Sequence, residues 1–580
     1  MNWTALRIVG PLLGMLPVAA CPGSDGVAGT DETSGEGSGA PPTSTGTTGA
    51  STVAGMTGTT GTPDPTGPTA ASEVTATVPT TGQTTGDPPP DLPPAIQCDP
   101  GAGGPYWLLE EETVEFTVVC KTGLGLDGGA FTIDPLPAGA TYDPATAKLK
   151  WTPGLDQGAV YHLTITADPF GETGGVKIGV ADRWDDPDNV PVVDPLLYGE
   201  EYGLPVLHLQ ANPAIDADTY TPATVIYAGH TYTAEAKYRG AASLGYPKKS
   251  YTLKFSKEDK FSEPGRAGGF LDKRKVVLIS TFDDNAYVRQ RLAYELWDVL
   301  DPEHVQIQVY SGVVFLDGEY YGLYTFADHV DGYLMEDHGL AQDGNLYKSR
   351  THDANFRLTK SGGNDPKSTP HEGLTKEEGL PLDGEPGAYD DLDELITFVA
   401  TAKDATFLAE IDDRIDRRDY EDWWIFVSLI MGDDSAGKNA YHYHDPAMGP
   451  WRYMPWDFND SFGQTWQTAR KGFDAEPEGY AWANELFTRF FELPGIGDPL
   501  RARYGESLQG IYDVDAVLER VDAMLDETAD SALRDEGRWA TQYKTYGGWN
   551  WRNDFTTYDE EVEYLRQWII DRWAFVDAIY

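Results

Sequence analysis

Three oxygen-bearing side chains, Asp434, Asn439 and Asp457, stand in a pattern that could combine proton transfer with metal binding. Asp434 and Asn439 are separated by four residues and follow an aromatic-rich predicted helix, Asp419–Gly432. A predicted hairpin over 440–456 brings Asp457 back beside Asn439, so both side chains can reach one Mg²⁺. The pattern therefore predicts a carboxylate base next to a divalent-cation site. The alternative is a turn at a helix end with capping Asp and Asn.

A second chemistry-bearing segment covers residues 239–255. Gly240 and Gly245 would let backbone N–H groups approach phosphate oxygens. In the strand that follows, Lys249 has the parity of the apolar residues, so we expect it to lie on the inward face and Lys248 on the other. A glycine-bearing hairpin with surface lysines is the alternative for this segment.

A predicted helix, Tyr287–Leu300, carries Glu295. Its leucines recur at helical spacing and form an apolar stripe. A glutamate at this position could pair with Lys249 and orient it. Taken alone, a helix glutamate usually belongs to a solvated face, so this role depends on the other motifs.

The elements that must position these residues follow an α+β plan, an antiparallel β-rich segment and then a mostly helical one. Predicted strands cover 206–209, 225–227, 231–239, 249–255, 306–315 and 321–327. Predicted helices after the first cover 390–401, 404–411, 419–432, 484–491, 499–509, 514–529 and 559–577.

Charge excludes some classes of partner. The chain has 580 residues, with 93 acidic and 43 basic side chains. A nucleic-acid-binding protein needs a basic footprint, and so does a protein held to anionic lipid by charge. We therefore expect no nucleic-acid partner and no membrane contact through surface charge.

The N-terminus reads as an export signal. Residues 8–18 form a short apolar run, and 16–21 resemble a bacterial lipobox that ends at Cys21, the predicted lipidation site. The alternative is ordinary signal cleavage with a spare cysteine. Residues 22–97 are dominated by Gly, Pro, Ser, Thr and Ala and contain no Lys or Arg, so we expect a disordered tether between a 1–21 signal and the folded part.

In residues 98–182, short runs alternate between apolar and polar side chains, which predicts an all-β unit. Its turn pattern resembles that of immunoglobulin-like modules of secreted proteins. Cys98 and Cys120 are the remaining cysteines in an oxidising compartment, so we expect a disulfide, with two buried thiols as the alternative. Residues 183–196 form an acidic linker, in which a solvated turn is favoured over calcium bridging between domains.

Several motifs of the later part resemble the spore coat protein H (CotH) kinase family. The resemblance covers about residues 197–580. Its motifs lie in the segments Arg239–Phe255, Val276–Leu296, Val314–Asp331, Leu346–Lys348 and Pro455–Gly463.

The resemblance implies an atypical protein-kinase-like fold with a β-rich N-lobe, about 197–330, and a helical C-lobe, about 331–580. It implies ATP and Mg²⁺ or Mn²⁺ as cofactors and phosphorylation of serine, or also threonine, in secreted or coat proteins. By motif, Asp434 would be the catalytic aspartate, and Asn439 and Asp457 would bind the metal.

The remaining implied contacts concern the nucleotide. Lys249 would contact its phosphates, with Glu295 as its orienting partner. The other residues expected at the nucleotide are Arg239, Gly240, Ser243, Gly245 and Trp456.

Two positions depart from the family pattern. Asn459 stands where a second acid usually follows the metal aspartate. We expect it to remain an oxygen ligand, although it removes a negative charge and so lowers metal affinity. Asp328 stands where a glutamate is usual, which would alter contacts to the adenine or ribose.

Two further readings stay open. A surface adhesion or structural protein could use the same fold without turnover, and the tether and the all-β unit suit it equally well. A carbohydrate-active enzyme would suit the tryptophans and the acidity, but no acid/base pair has a recognisable spacing. For the kinase reading we expect a protein substrate with Ser or Thr acceptors, with basic character suggested by the acidic body. We expect export and membrane attachment through the N-terminal lipid anchor alone.

Overall fold

The computed structural model describes residues 98–121, 130–168, 171–185, 190–192, 194–263, 265, 270–447, 449–549 and 551–580. The predicted signal, Cys21 and the tether lie outside the described residues, as does most of the acidic cluster of the linker. Within the described residues, no helix combines the length and the apolar character that crossing a membrane requires. The chain mixes sheets and helices, so the predicted α+β class is confirmed.

The first described part, residues 98–182, contains strands in two main sheets around one core. A disulfide joins Cys98 to Cys120 and ties the short pair β1–β4. The strands are β1 (Pro100–Gly101), β2 (Tyr106–Leu109), β3 (Val114–Thr117), β4 (Val119–Cys120), β5 (Ala130–Asp134), β6 (Thr141–Asp143), β7 (Lys148–Trp151), β8 (Ala159–Asp168) and β9 (Glu172–Ala181).

The next part is a β-barrel. Strands β11, β12, β13, β14, β17, β19 and β18 pair in that order, and a parallel pairing of β18 with β11 closes the sheet. The strands of this part are β10 (Glu200–Glu201), β11 (Leu204–Ala211), β12 (Thr221–Tyr227), β13 (His230–Arg239), β14 (Ser250–Phe255), β15 (Phe261–Glu263), β16 (Phe270–Lys273), β17 (Lys275–Ile279), β18 (Val309–Leu316) and β19 (Glu319–Asp328).

Closure of the barrel decides which face of each strand is apolar. In β14, Tyr251, Leu253 and Phe255 pack in a core shared with inward residues of the other barrel strands. The alternate residues of the strands lie on the outside of the barrel. Val277 and Ile279 of β17 are examples, and they pack against the helices. The strands next to the helices are therefore covered on both faces, whereas β13 leaves Thr231 and Thr233 exposed on its outer face. The most apolar face of the sheet is the barrel interior.

The helices enclose the outer wall of the barrel and continue into a second region with a four-stranded sheet. The remaining elements are α1 (Arg289–Leu300), α2 (Gly332–Asp337), β20 (Asn345–Ser349), β21 (Leu374–Glu378), α3 (Asp390–Thr401), α4 (Asp404–Arg414), α5 (Arg417–Ile430), β22 (Ala440–His444), β23 (Arg452–Pro455), α6 (Glu485–Glu492), α7 (Pro494–Leu508), α8 (Val514–Thr545) and α9 (Tyr558–Asp577).

Helix α8 is far longer than the predicted 514–529. Its second half carries Arg534 and Asp535, which are buried in ion pairs instead of facing water. Arg534 pairs with Glu201 and donates to the carbonyl of Asp182, while Asp535 pairs with Lys248. The sequence pattern concealed the helix because charged residues here face the β-rich part.

A buried charge network fastens α1 and α9 together. The Arg289 guanidinium lies 2.6 Å from Asp284 and 2.5 Å from Glu561, and it also donates to the carbonyl of Phe462. Arg470 adds a second contact to Glu561 at 2.6 Å. Burial by itself would raise the pKa of Glu561, but the two arginines lower it from 4.5 to about 2.

We predict that Glu561→Gln lowers the free energy of unfolding at neutral pH by about 3 kcal/mol. The depressed pKa means that the carboxylate stabilises the fold above pH 4.5 and that this contribution is lost as the pH falls towards 2. Urea denaturation across this range should show the two proteins converging at low pH. Glu563→Gln, at an exposed position of α9, should change little at any pH. A pH-independent difference for Glu561→Gln would contradict the argument.

Candidate functional site

The loop that carries Asp434 begins where α5 ends. Met431 takes a left-handed conformation with φ of 54° and stops the helix, and a single 3₁₀ turn, Asp434–Ala436, follows. The indole N–H of Trp423, inside α5, donates to the carbonyl of Ser435 at 2.8 Å. The buried helix thus holds the loop in one position.

Asp434 is held as a carboxylate by two basic side chains. Nε2 of His352 lies 3.3 Å from its Oδ1, and Nζ of Lys438 lies 2.8 Å from its Oδ2. Burial opposes ionisation, but the contacts with His352 and Lys438 lower the pKa of Asp434 to about 2. It is therefore ionised at neutral pH, as a proton acceptor must be.

The hairpin β22–β23 brings the other predicted metal ligands to the same place. Ala440 pairs with Pro455, so Asn439 and Asp457 lie just beyond the last pair of the ladder. Both take left-handed conformations, with φ of 54° and 63°, which Asn and Asp tolerate better than most residues. The register therefore brings the two residues to the same end of the hairpin.

Ser435 ties the two loops together. Its Oγ lies 3.1 Å from the carbonyl oxygen of Trp456 and 2.8 Å from that of Asp457. On the other side, the backbone N–H of Asp457 donates to the hydroxyl of Tyr294 in α1 at 3.2 Å. Asp457 is therefore fixed between the Asp434 loop and the helix that lines the barrel.

The charges around Asp457 are mixed. Burial raises its pKa, Arg239 opposes that effect, and the negative charge of Asp434 reinforces it. Lys438 and Lys348 also favour its ionised form. Acids and bases therefore converge at one spot between the barrel and the helical part.

The glycine loop reaches this spot through Arg239. Its guanidinium lies 5.2 Å from the ring centre of the buried Trp456. Gly240 has a φ of 116°, and a Cβ there would lie 1.8 Å from Oγ of Ser243, so the turn requires glycine. At Gly245 a Cβ would meet the hydroxyl of Tyr546 at 2.7 Å.

The parity of the two lysines did not predict which of them is buried. Lys248 is the fully buried one, and its ammonium contacts Asp535 and the carbonyl of Leu323, both at 2.6 Å. Lys249 is partly exposed and donates to the carbonyl of Leu244 at 2.6 Å. Lys249 has the same parity as Tyr251, Leu253 and Phe255, which fill the barrel interior. Arg239 and the candidate site lie at the outer wall instead.

Glu295 does not orient Lys249. It accepts a hydrogen bond from Nε of Arg291, one turn earlier in α1, at 3.0 Å. Asp328, the other unusual position, is paired with Lys273 at 3.0 Å and accepts from the backbone of Gln308.

Asn459 contacts an acid of the motif segment Val276–Leu296 to which the sequence analysis assigned no role. Its Nδ2 donates to Oδ2 of Asp283 at 2.8 Å. Burial and the negative charge of Asp457 raise the pKa of Asp283, the bond from Asn459 lowers it, and the net value is about 6. Sequence reasoning also gave no role to His352, Lys348 or Lys438. A signal was present for two of them, because Lys348 ends the motif segment Leu346–Lys348 and Lys438 is adjacent to Asn439.

Comparison with known proteins places these residues in a family context. The model of the family described as CotH kinase protein matches residues 236–576, more than half of the chain. The chain belongs to that family. Inner spore coat protein H of Bacillus subtilis (strain 168) is 22% identical over 336 residues, which cover 58% of this chain and 84% of that protein. All the predicted CotH site residues from Arg239 to Asn459 lie inside the matched range.

We predict that Ser435→Ala loosens the site, because two carbonyl groups lose their common donor. The free energy of unfolding should fall by about 1–3 kcal/mol. Amide hydrogen exchange of the peptide that contains Asp457 should accelerate. Ser507→Ala is a matched control, since that hydroxyl donates within its own helix to Tyr504. Equal exchange of the Asp457 peptide in both variants would show that Ser435 does not hold the two loops together.

Proposed function

We propose that this chain is an exported, surface-tethered, ATP-dependent protein kinase that phosphorylates serine, or also threonine, on secreted or spore-coat proteins. The observation that carries the proposal is the convergence of Asp434, Asn439 and Asp457 on two loops joined by Ser435. Membership of the CotH kinase family and the name of the spore-coat relative support the reaction class and the location.

The residues present suit a hard divalent cation. Asn439 and Asp457 offer an amide and a carboxylate oxygen, which Mg²⁺ and Mn²⁺ prefer over softer ligands. A cation at Asp457 would also relieve its repulsion with Asp434, which raises its pKa. When bound, the metal would neutralise charge on the nucleotide phosphates.

The basic side chains supporting a phosphate site are those that act on Asp457, namely Arg239, Lys348 and Lys438. Arg239 can offer a fork of donors to phosphate oxygens next to the loop that begins at Gly240. We still propose an indirect role for Lys249. Its ammonium donates to the carbonyl of Leu244 and so holds the glycine loop in place.

In the proposed reaction the acceptor hydroxyl oxygen bonds to the γ-phosphorus, and the bond from that phosphorus to the departing ADP oxygen breaks. Asp434 accepts the hydroxyl proton. Its ionised state at neutral pH and its hydrogen bonds to His352 and Lys438 suit this part.

We predict that Asp434→Asn reduces phosphate transfer by about 100-fold or more, because the proton acceptor is lost. Purified protein is incubated with radiolabelled ATP and Mg²⁺ or Mn²⁺, and incorporation into itself or a Ser-rich peptide is counted. Nucleotide binding should be retained.

Asp445→Asn, in the turn at the far end of the same hairpin, is the matched control and should label like the natural protein. Persistent labelling by Asp434→Asn would remove the assigned base. Absence of nucleotide binding at millimolar ATP would favour the second candidate, a surface adhesion or structural protein on this fold.

A further inference from the structure

Asp283 lies beside the proposed cation site, although the motif segment that contains it suggested no role for it. It follows β17 in the loop 280–284, and its side chain is 6% exposed. Its Oδ2 accepts hydrogen bonds from Nδ2 of Asn459 at 2.8 Å and from the hydroxyl of Tyr246 at 3.2 Å. The β-barrel thus delivers a carboxylate to the loop that carries Asp457.

The position of Asp283 is fixed independently of its own side chain. Nε2 of Gln464 lies 2.8 Å from the carbonyl oxygens of both Asp283 and Asn459, so one amide group holds the two backbones together. The next residue, Asp284, is anchored by Arg289. The carboxylate of Asp283 therefore cannot leave the site without breaking several contacts.

Asp284 and Asp460, which follow Asp283 and Asn459 in the chain, each have a cationic partner. Asp284 pairs with Arg289, Asp460 with Lys471. In the part of the chain that the structure describes, no lysine or arginine forms an ion pair with Asp283. Among the described residues, Asp457 also forms no such ion pair, although the charge of Arg239 acts on it, and it lies close enough to Asp283 to repel it. Burying carboxylates without a counter-charge is costly, and two adjacent ones raise that cost.

We propose that Asp283 is a further carboxylate of the divalent-cation site and shares the ion with Asp457 across the contact between barrel and helical part. This inference rests on the proposed function. Asn459 is then a positioning residue, because its amide nitrogen is committed to Asp283 and its neutral side chain adds no third negative charge. The charge missing at Asn459 is supplied by Asp283 from another part of the chain.

The test measures Mn²⁺ binding to the purified protein by electron paramagnetic resonance of the free ion, without nucleotide. Asp283→Asn should weaken Mn²⁺ binding by about tenfold or more. The exchange Asp283→Asn with Asn459→Asp returns one carboxylate and one amide to the pair and should recover most of the affinity. The rise in melting temperature caused by Mn²⁺ should follow the same order.

Asp298→Asn is the matched control, a buried aspartate of the neighbouring helix α1 whose pKa burial raises to about 8. It should bind Mn²⁺ like the natural protein. Natural affinity in folded Asp283→Asn would overturn the inference alone, whereas a natural protein that binds no Mn²⁺ would remove the cation from the proposed function as well. If Asp283→Asn does not fold, a folded double variant decides: recovered binding supports the inference and lost binding overturns it.

Discussion

The parallel pairing of β18 with β11 closes the barrel, and most of the functional geometry depends on that closure. A closed sheet has an interior that only apolar side chains can fill, so the alternate residues of every strand are turned outward. Helices α1 and α8 cover the part of the outer wall that β17, β18 and β19 form. Arg239 and Asp283 both leave the barrel on strands that end towards this covered side, where the helical part contributes Asp457.

Most of the charged side chains buried at the covered wall are paired with an opposite charge. A buried charge is tolerated when it is paired, and Lys248 with Asp535 and Arg289 with Asp284 follow that rule. These pairs fasten helices to the barrel. Where the loops converge, Asp283 and Asp457 form no ion pair with a lysine or arginine of the described residues and repel each other, which is why we assign a cation to this place.

Two carboxylates of the site have different environments and hence different roles. Asp434 is hydrogen-bonded by His352 and Lys438, and its pKa is low. Asp457 is buried beside another acid, and its pKa is raised. A group kept ionised by fixed hydrogen-bonding partners suits proton acceptance, whereas a buried carboxylate without such a partner and beside another acid suits a metal ligand. The separation of these tasks comes from the surroundings, since the side chains are chemically identical.

The sequence by itself determined the local features: the α+β class, the spacing of Asp434 and Asn439, and the hairpin that returns Asp457. These depend on contacts between residues near in the chain, which period and turn residues encode. Tertiary structure decided the rest. The alternation of apolar and polar residues identified the apolar face of β14. Only closure of the barrel showed that this face is the interior, on the opposite side of the wall from the site, and Lys249 has the parity of that face. Asp283 and Asn459 are 176 residues apart, and no local pattern can announce a contact that arises only when the barrel wall and the helical part pack together.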